Sequence, residues 1–138
     1  MSKIREHRLE IIIDRPIKDV FNFSFDSSKL PLWFDAIAEE IPSEVPPRLG
    51  TILRNRNVGS KQWHEYKITT FTPEKMIELT QMNGNYHVQY IYTPISENAT
   101  RLEYCEWVDD GEPDPIQPST LEKLKFVLEN EMSERSSI

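Results

Sequence analysis

The chain is short of the residues from which most recognisable site chemistry is built. Its one cysteine, Cys105, cannot form an internal disulfide, a usage that fits a reducing cytoplasm. The three histidines, His7, His64 and His87, fall in separate strand-like segments and form no cluster at metal-ligand spacing. With only four glycines there is no P-loop, no dinucleotide-binding fingerprint and no G-x-S-x-G nucleophile turn. Neither a metal nor any other cofactor is expected. No apolar run approaches the roughly 18 residues of a membrane span, and Met1 to Arg8 is charged where a secretion signal needs an apolar stretch. Stable membrane insertion is therefore not expected, and a cytoplasmic location is. Basic residues are also in deficit: 16 Lys and Arg against 23 Asp and Glu give a net charge of −7, which repels phosphates over the surface. No nucleic-acid partner is expected. The one basic cluster, Arg54 and Arg56 with Lys61 nearby, reads as a solvated strand face.

What the chain does have is an ordered train of parts. Its 138 residues are one domain, 1–138, with a single core and no repeat or linker. Leu9, Ile11 and Ile13 alternate as a half-buried strand does. Six further β runs follow after Asp35, at Ala36 to Ile41, Thr51 to Asn57, Gln62 to Phe71, Met76 to Met82, Tyr86 to Thr93 and Thr100 to Val108. Turn residues separate them, and Asn83-Gly84 is the clearest hairpin signal because a type I′ turn needs positive φ at both centres. Pro42 to Gly50 is long for a hairpin and reads either as a loop at a cavity mouth or as a plain connector.

Helix signals are confined to the two ends. Asp14 followed by Pro16 predicts an N-capped short helix through Phe21 and Phe23, and Ser27-Ser28 predicts a serine-capped second turn ending in Trp33 and Phe34. After the proline-broken stretch Asp109 to Pro118, Ser119-x-x-Glu122 reads as a capping box. Leu121, Leu124, Leu128 and Met132 then share one helical face, with Lys123, Glu129 and Asn130 away from it, and Ser133 to Ile138 is expected to fray. The order of parts implies a curved sheet folded around its last helix.

The Pro16-x-x-x-Val20-Phe21 opening, Leu30-Pro31-x-Trp33, Gly50-Thr51, Thr72-Pro73, Thr100-Arg101-Leu102 and Leu124-Lys125 together resemble the START-like superfamily, and within it the polyketide cyclase/dehydrase and lipid-transport group called SRPBCC. The likeness runs from about Ile11 to Glu131 and lies in the order and spacing of the pieces. It implies an α+β helix-grip fold: a seven-stranded antiparallel sheet wrapped around a long C-terminal helix, with two short helices after the first strand. It also implies a cavity for a sterol, lipid, polyketide, quinone or hormone-like molecule, which some members cyclise or dehydrate. No catalytic motif of the group carries over residue by residue, so enzyme status stays open.

Alternation within the strands assigns a cavity wall without help from the family. The more apolar sets are Leu9, Ile11 and Ile13; Leu53 and Asn55; His64, Tyr66 and Ile68; Ile77, Leu79 and Gln81; Tyr86, Val88, Tyr90 and Tyr92; and Leu102, Tyr104, Glu106 and Val108. Trp33, Phe34, His64, Tyr66, Leu79, Tyr90, Tyr104, Glu106, Leu124 and Leu128 are the expected ligand contacts. His64, Glu106 and Tyr104 are the acid–base candidates, two ionisable groups and a hydroxyl on an apolar wall. The preferred reading of His64 and Glu106 is nonetheless plainer, as hydrated groups at strand ends, and Trp33 with Phe34 reads first as the plug of the core. Trp63, Phe71 and Trp107 fall on the outward sets, and Cys105 reads as an inert packed thiol. The expected partner is a small hydrophobic molecule bound by a monomer or homodimer. A cyclase or dehydratase and a protein-interaction module using the outward aromatics are the alternatives.

Overall fold

A seven-stranded antiparallel sheet in the order β1-β7-β6-β5-β4-β3-β2 curls around a C-terminal helix. The structure, a computed structural model, describes residues 6–82, 84–110 and 116–131. Its strands are β1 (Glu6–Ile13), β2 (Ile37–Pro42), β3 (Ile52–Asn57), β4 (Trp63–Thr72), β5 (Met76–Gln81), β6 (Tyr86–Ser96) and β7 (Ala99–Val108). The helices are α1 (Ile17–Ser24), α2 (Leu30–Trp33) and α3 (Pro118–Phe126), the last continuing into a π turn over Val127–Glu131. This is the helix-grip architecture. Because β1 and β2 form opposite edges of the sheet, α1 and α2 must carry the chain across its open end. The expected Asn83-Gly84 turn includes Asn83, which lies outside the described residues; on either side of it β5 and β6 pair antiparallel up to Thr80 and His87.

The apolar alternation does what it predicts over most of its length. Ile13, Leu53, Ile77, Val88, Tyr92 and Leu102 are buried on the concave face in one core with Leu121 and Leu124 of α3 and Leu128 of the π turn. Trp33 is fully buried and closes one end of this core, as the plug reading has it. Met132 and residues 133–138 lie outside the described part of the chain.

All three expected caps are rearranged. Asp14 does not cap α1: Pro16 holds that position without a side-chain cap, and the Asp14 N–H donates to Glu129 Oε2 at 2.7 Å. Beside it, the Arg15 guanidinium donates to the carbonyls of Leu128 at 3.1 Å and Glu129 at 2.6 Å, so the β1–α1 junction grips the end of the last helix. The serines do not cap α2, because Ser28 bonds to Asp26 and Ser27 turns inward. The Ser119–Glu122 box does not form either. Proline has a preset φ and no N–H to leave unpaired, so α3 starts at Pro118 with Gln117 before it.

Two register shifts place the site. In β2 the pairing with β3 slips between Ile37 and Glu39, and in β4 the pairing with β5 slips between Ile68 and Thr70. An extra residue reverses the inward–outward phase beyond it. The first bulge turns Glu40 to the inside, opposite Asn55, and the second turns Phe71 inside, opposite Ile77.

Candidate functional site

A cavity of about 560 Å³ opens between α1, the inner face of β2 and the loop after β2. One wall is aromatic. Phe21, Phe25 and Phe71 form a cluster with ring centroids 5.5 to 6.4 Å apart. The facing wall is Ile41, Pro42, Val45, Pro46 and Pro47, so the proline-rich loop does border a cavity mouth. That loop is braced from within: the Glu44 carboxylate accepts from the Thr51 hydroxyl at 2.7 Å and from Arg48 Nε at 3.1 Å, and those two bonds hold its carboxyl below the ordinary range.

Glu40 forms the floor, and two smaller cavities of about 90 and 30 Å³ meet at the same side chain from the interior. Ser27 Oγ donates to its Oε1 at 2.7 Å and Asn55 Nδ2 donates to its Oε2 at 3.1 Å. Burial raises its carboxyl above the ordinary value, against the lowering effect of those two hydrogen bonds. No cationic side chain touches it among the described residues.

The inner cavity is a tyrosine chamber closed by Leu30 and Phe34, with Tyr66, Leu79, Tyr86, Tyr90 and Tyr104 on its wall. Tyr66 and Tyr86 meet edge to face at 6.4 Å, Tyr90 and Tyr104 at 5.2 Å. Burial raises all four hydroxyls above the ordinary phenol range, with the Glu106 bond adding to the effect at Tyr86 and the Glu40 charge adding at Tyr66. They are therefore neutral hydrogen-bond donors near pH 7.

Glu106 is wholly buried behind this chamber and does not line it. Tyr86 donates to its Oε1 at 2.6 Å, the Ile116 N–H donates to its Oε2 at 3.0 Å, and His7 Nδ1 lies 3.1 Å from Oε2. The hydrated strand-end reading is thus corrected for Glu106, whose carboxyl joins β1, β6 and the approach to α3. His64 is partly buried opposite Asn55 and lines none of the cavities. It stands three strands from Glu106, so the two acid–base candidates are not brought together.

Of the other expected contacts, Phe34, Tyr66, Leu79, Tyr90 and Tyr104 line the inner cavity. Trp33, Leu124 and Leu128 are fully buried in the core and line none of these three cavities. The main cavity lies at the α1–β2 end of the grip instead. Of the outward aromatic trio, only Phe71 is corrected, while Trp63 and Trp107 keep to the outward sets. Phe71 is inside, Trp63 lies beneath the guanidinium groups of Arg54 and Arg56 at 4.8 and 5.9 Å, and Trp107 stacks on His87 at 5.1 Å. Glu40 and Ser27 had no part in the alternation argument. The only sequence signal for Glu40 is the run Ala36 to Ile41, whose phase a bulge decides, and Ser27 was read as part of a helix cap.

Comparison with solved structures agrees with this architecture. A polyketide-cyclase-like protein from Corynebacterium glutamicum, Cgl2372, is 18% identical over 97% of each chain, with a TM-score of 0.66. The conserved protein EF2215 from Enterococcus faecalis, of unknown function, is 18% identical over 94% of this chain and 77% of its own, with a TM-score of 0.73. The Aha1 dimer from Colwellia psychrerythraea is 15% identical over 91% of this chain and 97% of its own, with a TM-score of 0.68. The fold is START-like. No protein-family model matches the sequence, and no curated protein does. Among the described residues no helix is long and apolar enough to cross a membrane.

Proposed function

We propose that the protein binds a small, largely apolar molecule, of the size and character of a lipid fragment, quinone or polyketide, with its body in the outer cavity and one polar end at Glu40. The observation that carries this reading is the cavity of about 560 Å³ with an aromatic wall, an aliphatic and proline wall, and a single convergent polar floor. That size and that ratio of apolar to polar lining are what small-molecule sites have. The tyrosine hydroxyls beyond Glu40 extend the polar end inward. Native mass spectrometry of the purified protein, followed by a thermal-shift screen of lipids, quinones and polyketide-like aromatics, tests it. A ligand at a hundredfold excess over its Kd stabilises by about 2.7 kcal/mol, several degrees in Tm. Ile41→Trp, which fills the cavity from its rim, should abolish the shift while leaving the circular dichroism spectrum unchanged. A screen in which nothing shifts Tm overturns the proposal.

A second reading is acid–base chemistry on such a ligand, of the cyclase or dehydratase kind. Glu40 favours it, as a carboxyl raised by burial on the floor of the cavity. In that case Glu40 replaces His64 and Glu106 as the proton-transfer group, and Glu40→Gln abolishes turnover of any compound found to react.

A further inference from the structure

We propose that the ligand of the Glu40 cavity carries a cationic nitrogen, an amine or ammonium group that pairs with the Glu40 carboxylate beside the aromatic wall of Phe21, Phe25 and Phe71. This rests on the small-molecule reading above and narrows its chemical class.

Three observations lead to it. The lining of the outer cavity contains two carboxylates, Glu40 on the floor and Asp26 at the rim, and no lysine, arginine or histidine. The two inner cavities that meet at Glu40 have no basic residue in their lining either. An anionic headgroup entering here meets negative charge at the rim and again at the floor, with nothing to neutralise it. Free fatty acids and phosphate esters are therefore disfavoured by the same residues that admit a cation.

The second observation is the incomplete pairing of Glu40. Each oxygen accepts one bond, from Ser27 and from Asn55, and both donors are neutral. A carboxylate has about four acceptor positions, so room remains for further donors on the cavity side. Withdrawn charges in proteins are ordinarily matched by an opposite charge, and burial without one is what raises this carboxyl. A bound ammonium group supplies the missing partner and reverses that shift.

The third is the aromatic wall. Phe21, Phe25 and Phe71 crowd one side of the cavity with centroids within 6.4 Å of one another. Aromatic faces attract cations, and more strongly where water is excluded, while the same rings hold an apolar body. An arylalkyl amine satisfies the wall and the floor together. A neutral hydrocarbon satisfies only the wall.

The experiment compares three probes of one skeleton, naphthylethylamine, naphthylethanol and naphthylacetate, by isothermal titration near neutral pH at low salt. The expected order is amine, then alcohol, then carboxylate, with the amine about tenfold or more tighter than the alcohol, the scale of a charge-assisted hydrogen bond. Glu40→Gln should erase the preference for the amine over the alcohol. Asp26→Asn, at the exposed rim, should weaken the amine by about twofold or less, as solvent screens that charge. The wild-type ranking decides the matter even if Glu40→Gln fails to fold. Equal binding of amine and alcohol, tighter binding of the carboxylate, or binding of none of the three overturns the inference. If neutral compounds still raise Tm in the screen, small-molecule binding survives that failure; if they do not, both readings fall together.

Discussion

Glu40 on β2 and Asn55 on β3 face each other inside the grip, Asn55 Nδ2 donating to Glu40 Oε2 at 3.1 Å while Ser27 holds the other oxygen at 2.7 Å. Glu40 sits where an unbulged edge strand would present its solvent side. Burial raises the Glu40 carboxyl from its ordinary value of 4.5, so the folded state binds this proton more tightly than the unfolded chain does. The stability that protonation provides is complete below the unfolded value and is lost as pH rises through the folded one. Glu40→Gln should remove that loss. Relative to wild type, its Tm should improve as pH rises from about 4.5 toward neutrality, and parallel Tm–pH curves for the two proteins would count against a perturbed Glu40.

Glu106 should matter to the fold more than to any ligand. Tyr86→Phe removes the hydroxyl that donates to Glu106 Oε1 at 2.6 Å, and should cost about 1.5–3 kcal/mol in urea denaturation at unchanged m-value. Glu106→Ala should cost more, since it also leaves the partly buried Ile116 N–H without its acceptor. Ligand selectivity should persist in Glu106→Gln, since Glu106 lines none of the three cavities. A loss of binding with no loss of stability would reverse this assignment.

The last helix gives a paired test of the grip itself. Leu124 is fully buried, so Leu124→Ala should cost about 2–5 kcal/mol. Lys123 points outward and pairs with Asp35 at an exposed position, and Lys123→Ala should cost about 0–1 kcal/mol. Because Leu124 lines none of the cavities, its truncation should not change which ligands bind, which a thermal-shift screen of the variant reads directly.

Cys105 is buried on the far side of β7 from the core, and burial pushes its thiol up to about 11. It should resist iodoacetamide at neutral pH in the folded protein and react fully in urea. Mass spectrometry counts the adduct in both states, and rapid labelling of the native protein would contradict the burial of this thiol.

Much of the architecture was legible in the chain because it depends on local periodicity. Strands from Leu9 to Ile13 and from Tyr86 to Val108 announce themselves by alternation, and the turn residues between them set an antiparallel order. Leu121, Leu124 and Leu128 share a face for the same reason. The inner tyrosine wall, Tyr66, Tyr90 and Tyr104, follows from alternation once the sheet is curled.

The site was not legible to the same degree, and the reason is phase. Period two holds only until an extra residue is inserted, and neither Ala38 nor Thr69 carries a sequence mark of the bulge it occupies. One bulge brings in Glu40, which simple alternation from Ile37 and Ile41 turns to solvent, and the other brings in Phe71, which the sequence places outside. Pairings between distant residues were equally hidden. His7 and Glu106 meet across 99 positions, and Ser27 and Glu40 meet because α2 returns the chain to the edge of the sheet. The sequence by itself determined which segments are strands and helices and which of their faces are apolar, since those properties are carried by neighbours in the chain. The position of the cavity at the α1–β2 end, and the one carboxylate on its floor, were decided only by how the curled sheet closes on its helices, where register and long-range packing act together.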